Sequence, residues 1–313
     1  MRWLAPLILA LSMAATPAMA DTIRIVIPFA PGGALDPQAR ILANGLGKLR
    51  PNDTFIVENI GGAAGMLGLG AVAKSAPDGR TLLFSPSGPM VISPLVQSSV
   101  PFDYTKAFEP IVLTGSVKSA LIVRAGLKVM SLAELIAAAK GGAKITYGST
   151  GVGTSPHISG AMLAHAAGIQ MTHVPYRGLG PVFNDLVGGH IDSITTSVIG
   201  VLPYVTSKQA RALATFDTER AEQLPDVPTT AELGYRDLVM PQWYGLLAPA
   251  GLAADVRKTL ESQALTVLRS PEVVKQLALS GVANPKGTAD FRALLNAEYK
   301  RWPAILPKIG ITQ

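Results

Sequence analysis

Cysteine is absent from the 313-residue chain, which excludes disulfides, thiolate metal sites and cysteine nucleophiles together. Aromatic residues make up only 6% of it, and Lys and Arg never run longer than two in succession. A nucleic-acid footprint would cluster basic residues on one face or interleave them with aromatics. The net charge of +6 therefore speaks for weak steering of small anions, and no nucleic-acid partner is expected. Beyond residue 20 no stretch approaches the roughly 18–20 apolar residues needed to cross a bilayer. Internal repeats and low-complexity segments are missing as well. So are the usual catalytic signatures. Gly153-Thr154-Ser155-Pro156-His157 places Pro where a G-x-S-x-G elbow needs a free backbone. The glycines at 61, 62, 65, 68 and 70 do not make G-x-G-x-x-G, and no G-K-[ST] follows a glycine-rich loop. Histidines at 157, 165, 173 and 190 show no H-E-x-x-H or comparable ligand spacing. Neither metal nor cofactor nor catalysis is expected.

What the chain does have begins with Met1 and Arg2, an almost wholly apolar run from Leu4 to Ala15, and the small-x-small site Ala18-Met19-Ala20. That order reads as a secretory signal peptide cut after Ala20, giving an exported, periplasmic protein. The remainder exceeds the size at which a single core stops growing and predicts two lobes.

Short β-rich runs alternate with helical patterns along this remainder. Strands are expected at Ile23–Phe29, Phe55–Glu58, Thr81–Ser85, Ala120–Arg124, Ile145–Tyr147, Met171–Val174, Ser193–Thr196 and Ala210–Ala214. Helices are expected at Pro37–Lys48, Ser131–Ala139, Pro156–Ala166 and Pro181–Leu186, followed after Trp243 by Ala254–Leu268, Pro271–Leu279 and Ala289–Arg301. This rhythm predicts α/β lobes with mainly parallel sheets. Ser119–Val123 and Trp243–Ala248 are extended and lead into new composition, as two crossovers between lobes would. The first lobe would then be discontinuous, 21–121 plus 246–313, with 122–245 as the second.

Two segments far apart in sequence share one design, VIPFAPGGALDP at 26–37 and ITYGSTGVGTSPH at 145–157. Each runs from a strand through glycines to a Pro at a helix start, with Asp36-Pro37 and Ser155-Pro156 as the start signals. Such loops leave backbone N–H groups facing outward at a positive helix end. Facing one cleft, they would hold a carboxylate between them, as in a receptor that closes on a small organic acid.

The runs PFAPGGALDPQARILANGL, VENIGGAAG, APDGRTLLF, YGSTGVGTSPHISGAMLAHAAGI, HVPYRGLGP, GGHIDS, RALATF, LPDVPTTAELG and WYGLLAPAG resemble the solute receptors of tripartite tricarboxylate transporters, also called Bug receptors, across nearly the whole mature chain and in order. The resemblance implies a periplasmic-binding-protein fold of two α/β lobes joined by two crossing strands. It further implies a receptor that catches a carboxylate and delivers it to a two-component membrane permease. In that family the carboxylate is held mainly by backbone amides and water from two loops, which match Pro28–Asp36 and Tyr147–His157 here.

The candidate ligand contacts follow from these loops and from the strand ends beside them. From the first loop come Phe29, Ala30, Gly32, Gly33 and Asp36. Asp36 is better suited to cap the helix and order the loop than to meet an anion. From the second come Ser149, Thr150, Gly151, Thr154, Ser155 and His157, whose hydroxyls and ring serve equally for capping, packing or contact. Tyr176 and Arg177 follow, with Arg177 placed to pair with a second carboxylate or with a surface acid. Ser85 and Ser87, with Thr195 and Thr196 in the polar run Ser193–Ser197, are expected to set selectivity, and Trp243 and Tyr244 sit at the proposed crossover, either as hinge packing or as contact. The expected partners are thus a small mono-, di- or aromatic carboxylate and a tripartite-type permease, with the protein itself a monomer. Two alternatives remain at this point: a secreted enzyme acting on a carboxylate, and a ligand sensor feeding a two-component system.

Overall fold

A computed structural model describes residues 21–311 apart from 34, 241, 280, 281 and 283. The expected signal peptide at 1–20 lies outside the described residues. Strand β1 (Thr22–Ile27) leads to α1 (Leu35–Leu49), β2 (Thr54–Asn59), α2 (Met66–Ala73), β3 (Thr81–Pro86), the short α3 (Ser87–Val91) and α4 (Ser93–Val96), and the long β4 (Phe108–Val117). Then come β5 (Ser119–Arg124), α5 (Leu132–Lys140), β6 (Ile145–Ser149), α6 (Ser155–Ala167), β7 (Met171–Pro175), α7 (Leu179–Gly188), β8 (Ser193–Ser197), α8 (Val198–Thr206) and β9 (Ala210–Thr215). The chain returns through β10 (Gln242–Pro249) to α9 (Ala254–Leu268), α10 (Pro271–Leu279) and α11 (Thr288–Ile305).

The strands form two five-stranded sheets, ordered β2-β1-β3-β10-β4 and β7-β6-β8-β5-β9. The two orders correspond position by position, so the β1–α1 loop of one lobe has its counterpart in the β6–α6 loop of the other. Each sheet is mixed rather than mainly parallel. β1 runs parallel to β2 and β3, while β10 runs antiparallel to β3 and β4. In the second sheet β6 runs parallel to β7 and β8, and β5 antiparallel to β8 and β9. The reason lies in the connections. A strand reached through a helix re-enters its sheet in the same direction, whereas β5 and β10 arrive directly from the opposite lobe and run away from the cleft.

Sheet membership also moves the crossings. Ser119–Arg124 belongs wholly to the second sheet and Gln242–Pro249 wholly to the first. The chain therefore changes lobe at Lys118 and again before Gln242, a few residues earlier than the expected divisions at 121/122 and 245/246.

Three apolar clusters hold the lobes. Helix α1 buries Leu35, Ala39, Leu42, Ala43 and Leu46, a stripe at helical spacing that packs on Ile23, Ile25 and Ile27 of β1 and on Leu260 and Ala264 of α9. Val182, Phe183 and Leu186 of α7 cover the second sheet. The third cluster runs from one lobe to the other, from Met66 and Leu69 through Leu121 to Ile158 and Leu163, and takes in Phe291, Leu295 and Trp302 of α11. Each fully buried Leu, Ile or Phe stabilises by about 1.5–3 kcal/mol, so this cluster helps to hold the lobes together.

Alternation along β10 divides its side chains between two faces. Trp243 packs edge-on against Phe291 with ring centroids 5.2 Å apart, under α11. An ideal Cβ on neighbouring Gly245 would lie 2.2 Å from Cζ of that same ring. Gly245→Ala is therefore expected to overpack this core at a cost of about 1–3 kcal/mol, lowering the melting temperature by several degrees. Gly245→Ala/Phe291→Leu should recover part of that loss relative to Phe291→Leu alone, read as non-additivity in a double-mutant cycle.

Candidate functional site

The β1–α1 loop is shaped from within and from behind. Gly32 adopts a left-handed φ of 91°, and its N–H donates to Asp36 Oδ2 at 2.7 Å. Asn59 Nδ2 donates both to Asp36 Oδ1 (3.2 Å) and to the Phe29 carbonyl (3.0 Å), and Arg40 stands 3.8 Å from Oδ1. Helix α1 begins one residue before Asp36, so this carboxylate turns back into the loop and is consumed in ordering it. Behind the loop lies the glycine-rich run after β2. A Cβ on Gly68 would fall 2.7 Å from Pro28 Cα, and one on Gly61 2.8 Å from the Ala30 nitrogen. These glycines make no phosphate loop; they are a bare surface on which residues 28–30 lie.

The β6–α6 loop is held by other chemistry. Ser149 Oγ receives the Gly151 N–H at 3.0 Å and stands 2.6 Å from His173 Nε2. Thr154, the residue before α6, donates its hydroxyl to the Gly151 carbonyl at 2.7 Å. His157 Nδ1 accepts the Gly153 N–H at 3.2 Å, and its ring lies 4.1 Å from that of His173, with Tyr147 completing the stack. Burial lowers both imidazoles to a pKa of about 4, for His157 with a further push from His173. Both are neutral at ordinary pH, which is what lets His157 Nδ1 act as an acceptor. Burial likewise raises Tyr147 to about 12.

The loops face each other across a cleft of about 250 Å³. Beside it the lobes touch. Ser93 Oγ lies 3.1 Å from the Gly153 carbonyl and 3.3 Å from that of Ala64. A Cβ on Gly88 would come within 3.2 Å of Ser155 N, and one on Gly178 within 3.9 Å of Ala30 Cβ. Of the residues singled out from the sequence, Phe29, Ala30, Gly32, Gly33 and Asp36 line the cleft from one lobe, and Thr150, Thr154, Ser155, Arg177 and Thr196 from the other.

The remaining candidates are placed elsewhere. Ser149, Gly151 and His157 form the internal scaffold of the second loop. Ser85 is buried with its hydroxyl turned to the Pro86 carbonyl at 3.1 Å, and Ser87 is buried at the start of α3. Tyr176 donates its hydroxyl to Asp185 Oδ2 at 2.6 Å; burial and that carboxylate raise its pKa to about 12. Thr195 is buried on the opposite face of β8 from Thr196, and Trp243 faces α11. Ser197, Gln242 and Tyr244 complete the floor of the cleft; the first lies in the polar run at 193–197 and the last at the crossover singled out from the sequence, while Gln242 was missed. Strand alternation was the available signal, since placing Trp243 in a core turns Gln242 and Tyr244 the other way.

Among the described residues Arg177 is the one cation lining the cleft and is exposed, while Asp36, the one carboxylate, is already engaged. Prolines 31, 86, 89, 156 and 181, with Phe29, Leu179 and Tyr244, make the remaining wall largely apolar. Among the described residues no group of His, Asp and Glu is placed to hold a metal ion, and no helix is long and apolar enough to cross a membrane.

Two α/β lobes of matching topology, joined by two crossings and closing on a cleft that meets two helix N-termini, define a bilobal solute-binding receptor. The family model described as Tripartite tricarboxylate transporter family receptor matches residues 38–311, and the chain belongs to that family. It is similar to Protein BugT of Bordetella pertussis, 32% identical over 304 residues that cover 95% of this chain and 93% of that one. Among solved structures it is similar to the periplasmic binding protein BugD (TM-score 0.87, 29% identity, 93% of this chain and 98% of that chain). It is also similar to the R. palustris protein Rpa4515 with adipate (TM-score 0.89, 26% identity, 93% and 98%). The family is one of transporter receptors and BugD is a periplasmic binding protein; the chain is accordingly a receptor and not an enzyme.

The two neutral imidazoles give the second loop a pH dependence. Their folded pKa values, about 4, lie below the ordinary value of about 6.5, so the unfolded chain binds more protons between these limits. Stability should therefore be full above about pH 6.5 and fall as pH drops toward 4. Thermal melts across this range should show that loss. In His157→Asn/His173→Gln, which keeps an acceptor near Nδ1 and a polar group near Nε2, the decline should be shallower.

Proposed function

We propose that the protein is a periplasmic receptor that binds a small organic carboxylate between its lobes and, closed around it, delivers it to a tripartite-type membrane permease. The observation that carries this reading is the convergence of two strand–glycine–helix loops, one from each lobe, on a single cleft whose own carboxylate is already bonded. The helix ends and loop amides beside Gly33, Thr150 and Ser155 supply the positive pole. Backbone donors bind an anion without bringing a buried countercharge that would itself be costly to desolvate. Each helix end contributes about 0.3–1 kcal/mol when exposed and up to about 2 kcal/mol when partly buried. Hydrogen bonds to a charged group contribute about 1.5–3 kcal/mol each. A few of them reach the roughly −8 kcal/mol of a micromolar ligand. The adipate of the Rpa4515 structure supports the same ligand class here.

The buried contacts between Ser93 and Gly153 and between Gly88 and Ser155 belong to the closed arrangement, so a ligand that adds bonds to both loops stabilises this state over an open one. Closure would give the permease a shape to recognise, with the receptor acting as a monomer.

A thermal-shift screen of the protein, first stripped of bound ligand, against mono-, di-, tricarboxylic and aromatic acids tests the reading. Acid at about 100 times Kd should add roughly 2.7 kcal/mol, a shift of several degrees. No shift with any carboxylate would overturn the proposal. A Cβ on Gly33 meets nothing within 4 Å, so Gly33→Ala should bind within a few-fold of wild type. Gly33→Asp, which places a negative charge at the anion site, should lose binding by about a hundredfold or more.

A further inference from the structure

The floor of the cleft carries a buried amide at the junction of the two crossings. Gln242 is only 6% exposed, opens β10, and lines the cleft beside Thr196, Ser197 and Tyr244. Its Nε2 donates to Ser119 Oγ at 3.0 Å, and Ser119 Oγ donates to the Met240 carbonyl at 3.3 Å. A serine hydroxyl has one proton. Spent on Met240, it leaves the oxygen only able to accept, so Gln242 must turn Nε2 toward Ser119 and Oε1 away from it. Among the described residues nothing donates to Oε1, and this atom is not one of those sealed from solvent without a partner. The space in front of it is the cleft.

The topology sets how far this acceptor stands from the anion loops. β10 lies two strands from β1 in the first sheet, about 10 Å at the usual spacing. That is roughly the span of a C4–C6 acid hydrogen-bonded at each end. Arg177 follows β7, the strand at the opposite edge of the second sheet from β5 and β9. Among the described residues no cation lining the cleft therefore stands at the Gln242 end to draw a second carboxylate.

We propose that Gln242 determines specificity for the far end of the ligand. Its fixed carbonyl oxygen accepts a hydrogen bond from a hydroxyl or ammonium group, so the preferred ligand is a hydroxy- or amino-substituted organic acid over the unsubstituted acid of equal length. This assignment rests on the reading that the loops take the carboxylate. A plain alkyl tail would leave Oε1 desolvated and unpaired, which a site built for hydrogen bonding penalises. Ser119, which touches no ligand, is a positioning residue that decides which end of the amide faces the cleft.

Calorimetric Kd values for 4-hydroxybutyrate against butyrate and 6-hydroxyhexanoate against hexanoate test the assignment. Wild type should prefer the hydroxy acid in at least one pair by about tenfold, and Gln242→Leu should bring that ratio near parity. Ser119→Ala keeps Gln242 but frees its amide to turn. It should lower the ratio while leaving Kd for the plain acid within about twofold, and it decides the matter alone if Gln242→Leu does not fold. A ratio unmoved in folded variants, or a wild-type preference for plain acids, overturns the assignment and leaves the receptor reading intact. Failure of wild type to bind any of the four, when the wider screen also shows no carboxylate, overturns both.

Discussion

One residue, Lys118, separates β4 of the first sheet from β5 of the second, and most of the architecture depends on how short that crossing is. With no room for a loop, the end of one sheet must face the end of the other. β5 must then leave the cleft in the direction opposite to the strands that helices deliver. Lys118 itself is held there, its ammonium donating to the carbonyls of Glu219 (2.9 Å) and Arg220 (3.0 Å). The return through Gln242 repeats the geometry, and Ser119, Met240 and Gln242 are hydrogen-bonded into one junction. The opposition of the two helix N-termini follows from this junction, since each loop lies at the end of a strand pointing toward the crossing.

The two loops solve the same problem with different chemistry. An anion site needs amides aimed at empty space, so every other polar group of the loop must be satisfied internally. In the first loop a carboxylate, Asp36, does this work, and its charge is offset by the Gly32 N–H, Asn59 and Arg40. In the second, a stack of two neutral histidines and a tyrosine takes its place, with Ser149 and His157 binding Gly151 and Gly153. An anion held between these loops, as we propose, would meet dipoles and hydroxyls, with Asp36 already engaged. The bare glycine surface at 61–68 serves the same end, because side chains there would lift the first loop from its support.

Closure is constrained by packing as well. The apolar cluster that includes Phe291, Leu295 and Trp302 of α11 extends into the second lobe through Ile158 and Leu163, so the lobes share a core in addition to two chain crossings. The contacts of Ser93 with Gly153 and of Gly88 with Ser155 are buried between the lobes as well, so opening has to part them. Such contacts are individually weak, which suits an equilibrium that a small ligand has to shift.

Much of this was legible locally. Asp36-Pro37 and Ser155-Pro156 marked the helix starts to within a residue or so, and α9 and α10 matched their expected spans, because caps, prolines and 3.6-residue periodicity act over a single turn or two. The matched loops, and the family they belong to, were likewise written in contiguous residues. Strand direction was not, since a β-rich run looks the same whichever way it enters a sheet, and the reversal of β5 and β10 comes from the crossings. Nor was the identity of the cleft floor. Whether Trp243 or its neighbours Gln242 and Tyr244 faced the ligand depended on where α11 packed, and whether His157 was a contact or a scaffold depended on His173 arriving from β7. The sequence by itself determined where several helices begin and end and which two loops share one design. Only the tertiary structure decided which side chains share the cleft, because that choice is made by neighbours far away along the chain.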